Sequence, residues 1–145
     1  MRVYPNNSPE AMSRVIALMI VADAHIDDRE IAVLDTFNAF AKLGIARKDF
    51  MNVARDYCAD LVHAAEAKGS TALLDVARTD HVIGSVVTRE QRLVVAGLLL
   101  AVVSADRVHD AGELVLFEHI LDRWDVTRDE VADVAVSRLK QSGKP

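Results

Sequence analysis

The sequence predicts an all-α protein, and three observations support this fold class. Hydrophobic residues make up 51% of the 145 residues, and Ala, Val and Leu, which suit buried helices, dominate them. The residues that break helices are scarce, with six glycines and three prolines. Apolar residues recur at helical spacing, and no strand alternation or hairpin dipeptide competes with them. A chain of this length buries enough surface for one domain, so we expect residues 1–145 to form a single unit.

Three helices are expected in the first half of the chain. Ser8 can cap the first helix, with Pro9 at the first helical position, where its missing N–H costs nothing. The second helix has apolar residues at spacings of three and stops at Gly44, a C-terminal glycine. The expected bounds of the three helices are 8–23, 27–44 and 47–68.

The second half should add four helices, which makes about seven in all. Ser70 and Thr71 can cap a short fourth helix, which we expect to dissolve around Thr79-Asp80-His81 and Gly84. Capping-box patterns begin the fifth and seventh helices, and Asp110 opens the sixth. The expected bounds of these last three helices are 88–105, 110–124 and 127–141.

Charge and hydropathy exclude several function classes. The net charge is −5, and no Lys/Arg stripe could supply the electrostatic attraction on which nucleic-acid binding depends. The most apolar run, from Leu93 to Ala105, is too short for a membrane span of about 20 residues. Cys58 is the single cysteine, and residues 1–7 lack the apolar core of a signal peptide, so we expect a cytoplasmic protein.

An internal repeat appears when the chain is aligned with itself at an offset of 83 residues. The apolar pattern matches on both sides of a shared acidic segment, which indicates two diverged copies of a helix-turn-helix unit. We place the copies at about 8–68 and 88–141, joined by residues 69–87 and related by a pseudo-twofold axis. The offset brings Ala22, Asp23, Asp27 and Glu30 onto Ala105, Asp106, Asp110 and Glu113.

A structural role explains two acidic positions in each copy. Asp27 and Asp110 are natural helix N-caps. Glu30 and Glu113 follow three residues later, where a capping-box glutamate reaches back to the N-cap amide. These four carboxylates also favour the positive end of a helix dipole. Capping alone is therefore one complete interpretation of these positions.

Asp23 and Asp106 need a different explanation, because each is predicted in the last turn of an apolar helix. A negative charge there faces the carbonyl end of the helix dipole, at a cost of about 0.3 to 1 kcal/mol. Ion pairs with Arg29 or Arg107, or solvation at an exposed helix end, could offset this cost. Alternatively, the acidic residues and freed carbonyls could hold a cation, and hard oxygen ligands favour Ca²⁺ or Mg²⁺. The spacing is not that of an EF-hand loop.

Two histidines in the same segments raise the alternative of a transition metal. His25 and His109 could recruit Zn²⁺, but they do not align with each other in the repeat. We therefore expect both to be solvent-exposed turn residues and rank Zn²⁺ behind Ca²⁺ and Mg²⁺.

The segment Ala22 to Glu30 resembles the Ala-Asp-Gly-x-Ile-Asp-x-x-Glu signature of TerB-like domains. These domains occur in tellurite-resistance proteins and in membrane-anchored DnaJ-like proteins, and the second acidic segment fits their duplicated helical design. The resemblance implies a bacterial stress-response role, with other stress-response proteins, some of them membrane-associated, as partners. Carried over by position, it implies cation binding by Asp23, Asp27, Glu30, Asp106, Asp110 and Glu113.

The sequence leaves three function classes open. The first is a TerB-like domain that binds a cation, and the second is a protein-interaction module whose carboxylates only cap helices. An enzyme is the third and weakest class, because the sequence has no glycine-rich phosphate loop, nucleophile elbow or zinc-protease spacing. We expect no catalytic residues and no enzymatic activity.

Overall fold

A computed structural model describes residues 3–22, 25–26, 28–68, 76–105 and 111–132. Among these residues, only the backbone is described for those that fall within 21–29, 64–78 and 104–113. The fold is all-α, as predicted. The helices are α1 (Pro9–Ile20), α2 (Asp28–Thr36), α3 (Ala39–Leu43), α4 (Arg47–Lys68), α5 (Val76–Ile83), α6 (Arg89–Ala105) and α7 (Ala111–Trp124), followed by helical residues 128–132, here α8.

Helix α1 begins as the sequence predicts but ends early. The Ala11 amide donates a hydrogen bond of 3.1 Å to Ser8 Oγ, which confirms the N-cap. The helix ends at Ile20, three residues before the predicted end at Asp23. Two-residue strands follow, β1 (Val21–Ala22) and β2 (His25–Ile26), which pair antiparallel. Val21 and Ala22 extend the apolar pattern of the helix, so periodicity carries no sign of this change.

The predicted second helix is divided into α2 and α3. Asn38 separates them with a left-handed backbone conformation, φ 57° and ψ 39°. Asparagine tolerates this region better than other non-glycine residues, because its short side chain can hydrogen-bond locally. The prediction of one continuous helix to Gly44 was therefore wrong, and the described residues contain eight helices where about seven were expected.

The bounds of α4 confirm the prediction of a helix from about Arg47 to Lys68. The expected end of the fourth helix was wrong, because Thr79-Asp80-His81 lies inside α5 and the helix continues to Ile83. Two contacts from α7, described with the site below, hold this polar stretch in helical form. The predicted caps Ser70 and Thr71 lie outside the described residues.

The last helices begin where the capping patterns place them. The Gln91 amide donates to Thr88 Oγ at 3.4 Å, and the Glu130 amide donates to Thr127 Oγ at 3.1 Å. The fifth and sixth predicted helices correspond to α6 and α7, with ends at Ala105 and Trp124. The predicted end of the seventh helix near Gln141 lies outside the described residues.

Two helix corners have the same backbone hydrogen bonds. After α3, the amide of Gly44 donates to Ala41 and that of Ile45 donates to Phe40; after α7, the amide of Asp125 donates to Asp122 and that of Val126 donates to Leu121. Gly44 and Asp125 both have positive φ, 73° and 54°. Each corner is a Schellman motif that leads into another helix. This shared geometry is compatible with the predicted repeat.

Asn7 joins the segment before α1 to the loop before α6. Its amide donates to the Ser85 carbonyl at 2.8 Å, and its Oδ1 accepts the amide of Val87 at 2.7 Å and that of Thr88 at 3.3 Å. Its carbonyl accepts Gln91 Nε2 at 3.1 Å. These hydrogen bonds therefore connect the start of α1 to the start of α6.

Helix α1 is the centre of the core. All residues from Ala11 to Ile20 are buried, and α1 packs against α3, α4, α5, α6 and α7. Arg14 is buried with them, 2% exposed, and its guanidinium lies 4.8 Å from the centre of the Tyr4 ring. Burial lowers the pKa of Arg14, while Tyr4, Tyr57 and Asp60 oppose this effect.

Substitutions at Asn38 should separate backbone strain from side-chain contacts. We expect Asn38→Val to lower the free energy of unfolding by about 1–2 kcal/mol, because a β-branched residue resists the left-handed region. Asn38→Gly keeps the conformation accessible and should change stability by less than about 0.5 kcal/mol. Urea denaturation of the two variants checks this, and equal losses for Val and Gly would contradict it.

Candidate functional site

The structure describes the side chain of one of the six predicted cation ligands. That residue is Glu30. Glu113 lies in α7, where only its backbone is described. The remaining four predicted ligands, Asp23, Asp27, Asp106 and Asp110, lie outside the described residues.

Glu30 is a buried carboxylate at the start of α2. It is the third residue of the helix and is 6% exposed. Burying a carboxylate is costly unless a compensating partner is present, and Glu30 takes part in an interaction within the fold. Its position is the one at which a capping-box glutamate stands.

Both acidic segments lead directly into a helix. Helix α2 begins at Asp28, immediately after Asp27, and α7 begins at Ala111, immediately after Asp110. Asp27 and Asp110 themselves lie outside the described residues, so their N-cap role stays a prediction from the sequence. Glu30 and Glu113 are the third residues of α2 and α7.

The helix dipole cannot supply the predicted reason for Asp23. That prediction assumed that Asp23 lies in the last turn of the first helix, whereas α1 ends at Ile20 and β1 follows. Ala22 pairs with His25, so the chain has left the helix before it reaches Asp23. Before the other acidic segment, α6 does run to Ala105, directly before Asp106. Asp106 itself lies outside the described residues, so the dipole cost there stays a prediction.

Within the described residues, no group of three or more His, Cys, Asp and Glu side chains could hold a metal ion. The two acidic segments lie largely outside this part of the chain. The cation site therefore stays a prediction from the sequence.

Cys58 has the environment of a core residue. It lies in α4, is partly buried and packs against the main core. Burial raises the pKa of its thiol, which keeps the thiol protonated and a poor nucleophile near neutral pH. Cys58 therefore packs as a small residue at the edge of the core.

A polar cluster that sequence reasoning missed joins α5 to α7. The Asp80 carboxylate lies 2.9 Å from His119 Nε2 through Oδ1 and accepts a 2.9 Å hydrogen bond from Arg123 Nη2 through Oδ2. Next to it, Trp124 Nε1 donates to the Ile83 carbonyl at 3.0 Å. His119 and Arg123 are four residues apart, a spacing that places both on one helix face. This spacing was visible in the sequence, but the partner helix was not.

The Asp80 carboxylate beside His119 resembles the pair in which a carboxylate orients a general base. Nucleophilic catalysis would need a hydroxyl or thiol within hydrogen-bond reach of the imidazole. Among the described side chains, none of these groups hydrogen-bonds to His119, whose partner is Asp80. The described contacts of the Asp80 carboxylate with His119 and Arg123 connect α5 to α7.

An open cleft of about 450 Å³ lies where α1, α3 and the start of α6 meet. Met12 and Val94 give it an apolar floor, and Lys42 and Glu90 bring opposite charges to its walls. Gln91 also lines the cleft, but its side chain already hydrogen-bonds to Thr88 and to the carbonyl of Asn7. The cleft holds no carboxylate of the predicted cation site.

Comparison with known proteins adds no further assignment. No protein-family model matches the chain, and neither a curated protein nor a solved structure is significantly similar to it. Among the described helices, none is sufficiently long and apolar to cross a membrane.

The Asp80 cluster can be tested by comparison with a more exposed ion pair. We expect Asp80→Ala to lower the free energy of unfolding by about 1 kcal/mol, because a half-buried carboxylate with two partners contributes more than a surface pair. Glu118→Ala removes the contact between Glu118 and Arg128, and both of these side chains are more than half exposed. This substitution should lower the free energy of unfolding by less than about 0.5 kcal/mol. Chemical denaturation measures both, and a larger loss for Glu118→Ala would contradict the assignment.

Proposed function

We propose that this protein is a TerB-like stress-response domain that binds a divalent cation through its duplicated acidic segments. The observation that carries the proposal is the repetition of Asp-x-x-x-Asp-x-x-Glu at an offset of 83 residues. The helices that follow the two segments, α2 and α7, begin at positions that differ by the same offset. The acidic pattern and the start of the helix that follows it recur at the same offset, which favours a shared role for the two segments.

The residue types favour a hard cation. Carboxylate oxygens suit Ca²⁺ and Mg²⁺, and three carboxylates leave room for carbonyl oxygens or water to complete the coordination. Glu30 supplies a carboxylate that the fold holds in a buried position at the start of α2. Arg107 places a positive charge beside the second segment, so the first segment is the better candidate for binding.

The helix packing keeps a joint site open as part of the proposal. Helix α6 packs against both α1 and α2, and it also packs against α7. The helices on either side of the two acidic segments therefore belong to one packed group. A single ion shared by both segments, or one ion in each, is compatible with this arrangement.

The proposed partners follow from the resemblance to TerB-like domains. These are other stress-response proteins, including membrane-associated ones, and the proposed location is the cytoplasm. The net charge of −5 favours contact with basic protein surfaces over contact with nucleic acid. We propose a binding function without catalysis.

A second candidate is a protein-interaction module whose acidic residues bind no metal. The bounds of α2 and α7 support it, because these helices begin directly after Asp27 and Asp110, the residues for which the sequence predicts N-caps with glutamates three residues later. Capping would then be their complete role. The two candidates differ in their dependence on metal.

Calorimetric titration tests the cation proposal directly. We expect saturable binding of Ca²⁺, Mg²⁺, Mn²⁺ or Zn²⁺ by the natural sequence, and at least a tenfold weaker Kd in the double variant Asp23→Asn/Asp106→Asn, because two anionic ligands are lost. Asp49→Asn/Asp122→Asn removes the same charge from exposed helical positions and should leave the Kd unchanged. Absence of binding by all four ions would refute the proposal.

Two substitutions at Asp27 separate capping from metal binding. Asp27→Ala removes the cap and should lower the free energy of unfolding by about 1 kcal/mol, with or without metal. Asp27→Asn keeps a good N-cap but loses the charge, so it should match the natural sequence in chelator and lose the stabilisation that the cation supplies. Thermal unfolding in chelator and in excess Ca²⁺ measures this, and equal metal-induced shifts in Tm for Asn and Asp would favour capping alone.

A further inference from the structure

The cleft between α1, α3 and the start of α6 is bounded by helices that pack against one another in every pairing. Gly44, at the end of α3, lies close to the first residue of α1, since a Cβ added there would stand 3.9 Å from Pro9 Cγ. The hydrogen bonds of Asn7 connect the starts of α1 and α6. The fold therefore fixes the positions of the helices that form the walls of the cleft.

The cleft has the size and the floor of a site for a small molecule. Its volume of about 450 Å³ falls in the lower part of the range of about 300–1,000 Å³ that is typical of ligand pockets. Met12 belongs to the core, and the partly buried Val94 packs against it, so the cleft exposes only the outer surface of these two side chains. An apolar group of a ligand can cover this remaining apolar surface.

The neutral polar groups of the lining are occupied by the protein itself. The Thr88 hydroxyl donates a hydrogen bond of 2.6 Å to Gln91 Oε1. Gln91 Nε2 donates to the Asn7 carbonyl at 3.1 Å, and the backbone amide of Gln91 donates to Thr88 Oγ1 at 3.4 Å. These bonds leave little hydrogen-bonding capacity for a ligand. A sugar or a polyol, which proteins recognise largely through such groups, is therefore a poor candidate.

Lys42 and Glu90 differ from the neutral groups of the lining. Within the described part of the chain, neither side chain takes part in a hydrogen bond or an ion pair, although both line the same cleft. Each charge is favoured by its own helix, since Lys42 lies in the last turn of α3 and Glu90 in the first turn of α6. Neither charge depends on the other, so both are available to a ligand.

We propose that this cleft binds a small zwitterion with an apolar body, which is the chemistry of an α-amino acid or of a short peptide with free ends. The ligand carboxylate pairs with Lys42 and its ammonium group pairs with Glu90, while its apolar side chain covers Met12 and Val94. Charge-assisted hydrogen bonds at the two ends fix the orientation of the ligand.

The two charges also provide selectivity. A simple anion would be attracted by Lys42 and repelled by Glu90, and a simple cation would meet the reverse. A ligand that carries both signs avoids this repulsion. The apolar contact supplies the part of the affinity that does not depend on charge.

Methyl NMR with a panel of leucine derivatives tests the proposal. In the full chain with a chelator present, leucine should shift the methyl signals of Met12 and Val94 and leave those of Val115, 64% exposed on α7, unchanged. Leucine should bind about threefold more tightly than N-acetyl-leucine or leucinamide, because each derivative loses one of two exposed charge contacts. Glycine should bind about fivefold more weakly than leucine, because it lacks the apolar side chain. A tighter Kd for leucyl-leucine than for leucine would identify a peptide as the ligand class, and a weaker one a free amino acid.

Two substitutions assign the ends of the ligand. Lys42→Gln should abolish the preference for leucine over leucinamide and keep the preference for leucine over N-acetyl-leucine. Glu90→Gln should have the opposite effect. Lys48→Gln and Asp49→Asn make the same changes of charge at exposed positions of α4 that do not line the cleft, and both preferences should persist in these controls.

Three outcomes would overturn the proposal. The first is that the methyl signals of Met12 and Val94 stay unchanged at the highest soluble concentrations of leucine and leucyl-leucine. The second is equal binding of leucine and its two derivatives. The third is an equal loss of preference in the cleft variants and in their controls. None of these results depends on a bound cation, so they leave the proposed function to its own test.

Discussion

The burial of α1 from Ala11 to Ile20 is the constraint on which the rest of the structure depends. A helix surrounded on every side must have each of its side chains accommodated, including the polar Ser13 and the charged Arg14. Arg14 engages Tyr4 through its ring and lies within the influence of Tyr57 and Asp60, so its burial connects the segment before α1 to α4. The hydrogen bonds of Asn7 add the start of α6 to the same assembly. The two acidic segments come shortly after α1 and α6 in the sequence.

Local signals predicted much of the fold. Ser8, Thr88 and Thr127 mark helix starts through hydrogen bonds that reach only three residues along the chain. The sequence predictions were wrong where contacts between residues far apart in the chain determine the local structure. The sequence of α5 is polar around Asp80, and its helical form is supported by α7, 39 residues away along the chain at His119. The break at Asn38 had a weak local sign, since asparagine tolerates positive φ in many settings.

The candidate site was predictable to the level of a pattern. Repetition drew attention to the carboxylates, and α2 and α7 begin directly after Asp27 and Asp110. The predicted continuation of the first helix to Asp23 was wrong, because α1 ends at Ile20. Periodicity could not show this, since Val21 and Ala22 are apolar in either conformation. Coordination geometry depends on how distant segments meet, and a single sequence carries no direct record of that.

The position of α1 along the chain has a consequence for biosynthesis. Its packing partners extend to α7, so the last of them follows it by about a hundred residues. A ribosome adding about 5–20 residues per second would therefore expose this apolar helix for several seconds before α6 and α7 emerge. The charge of Arg14, half-way along the helix, would then help to keep it from aggregating.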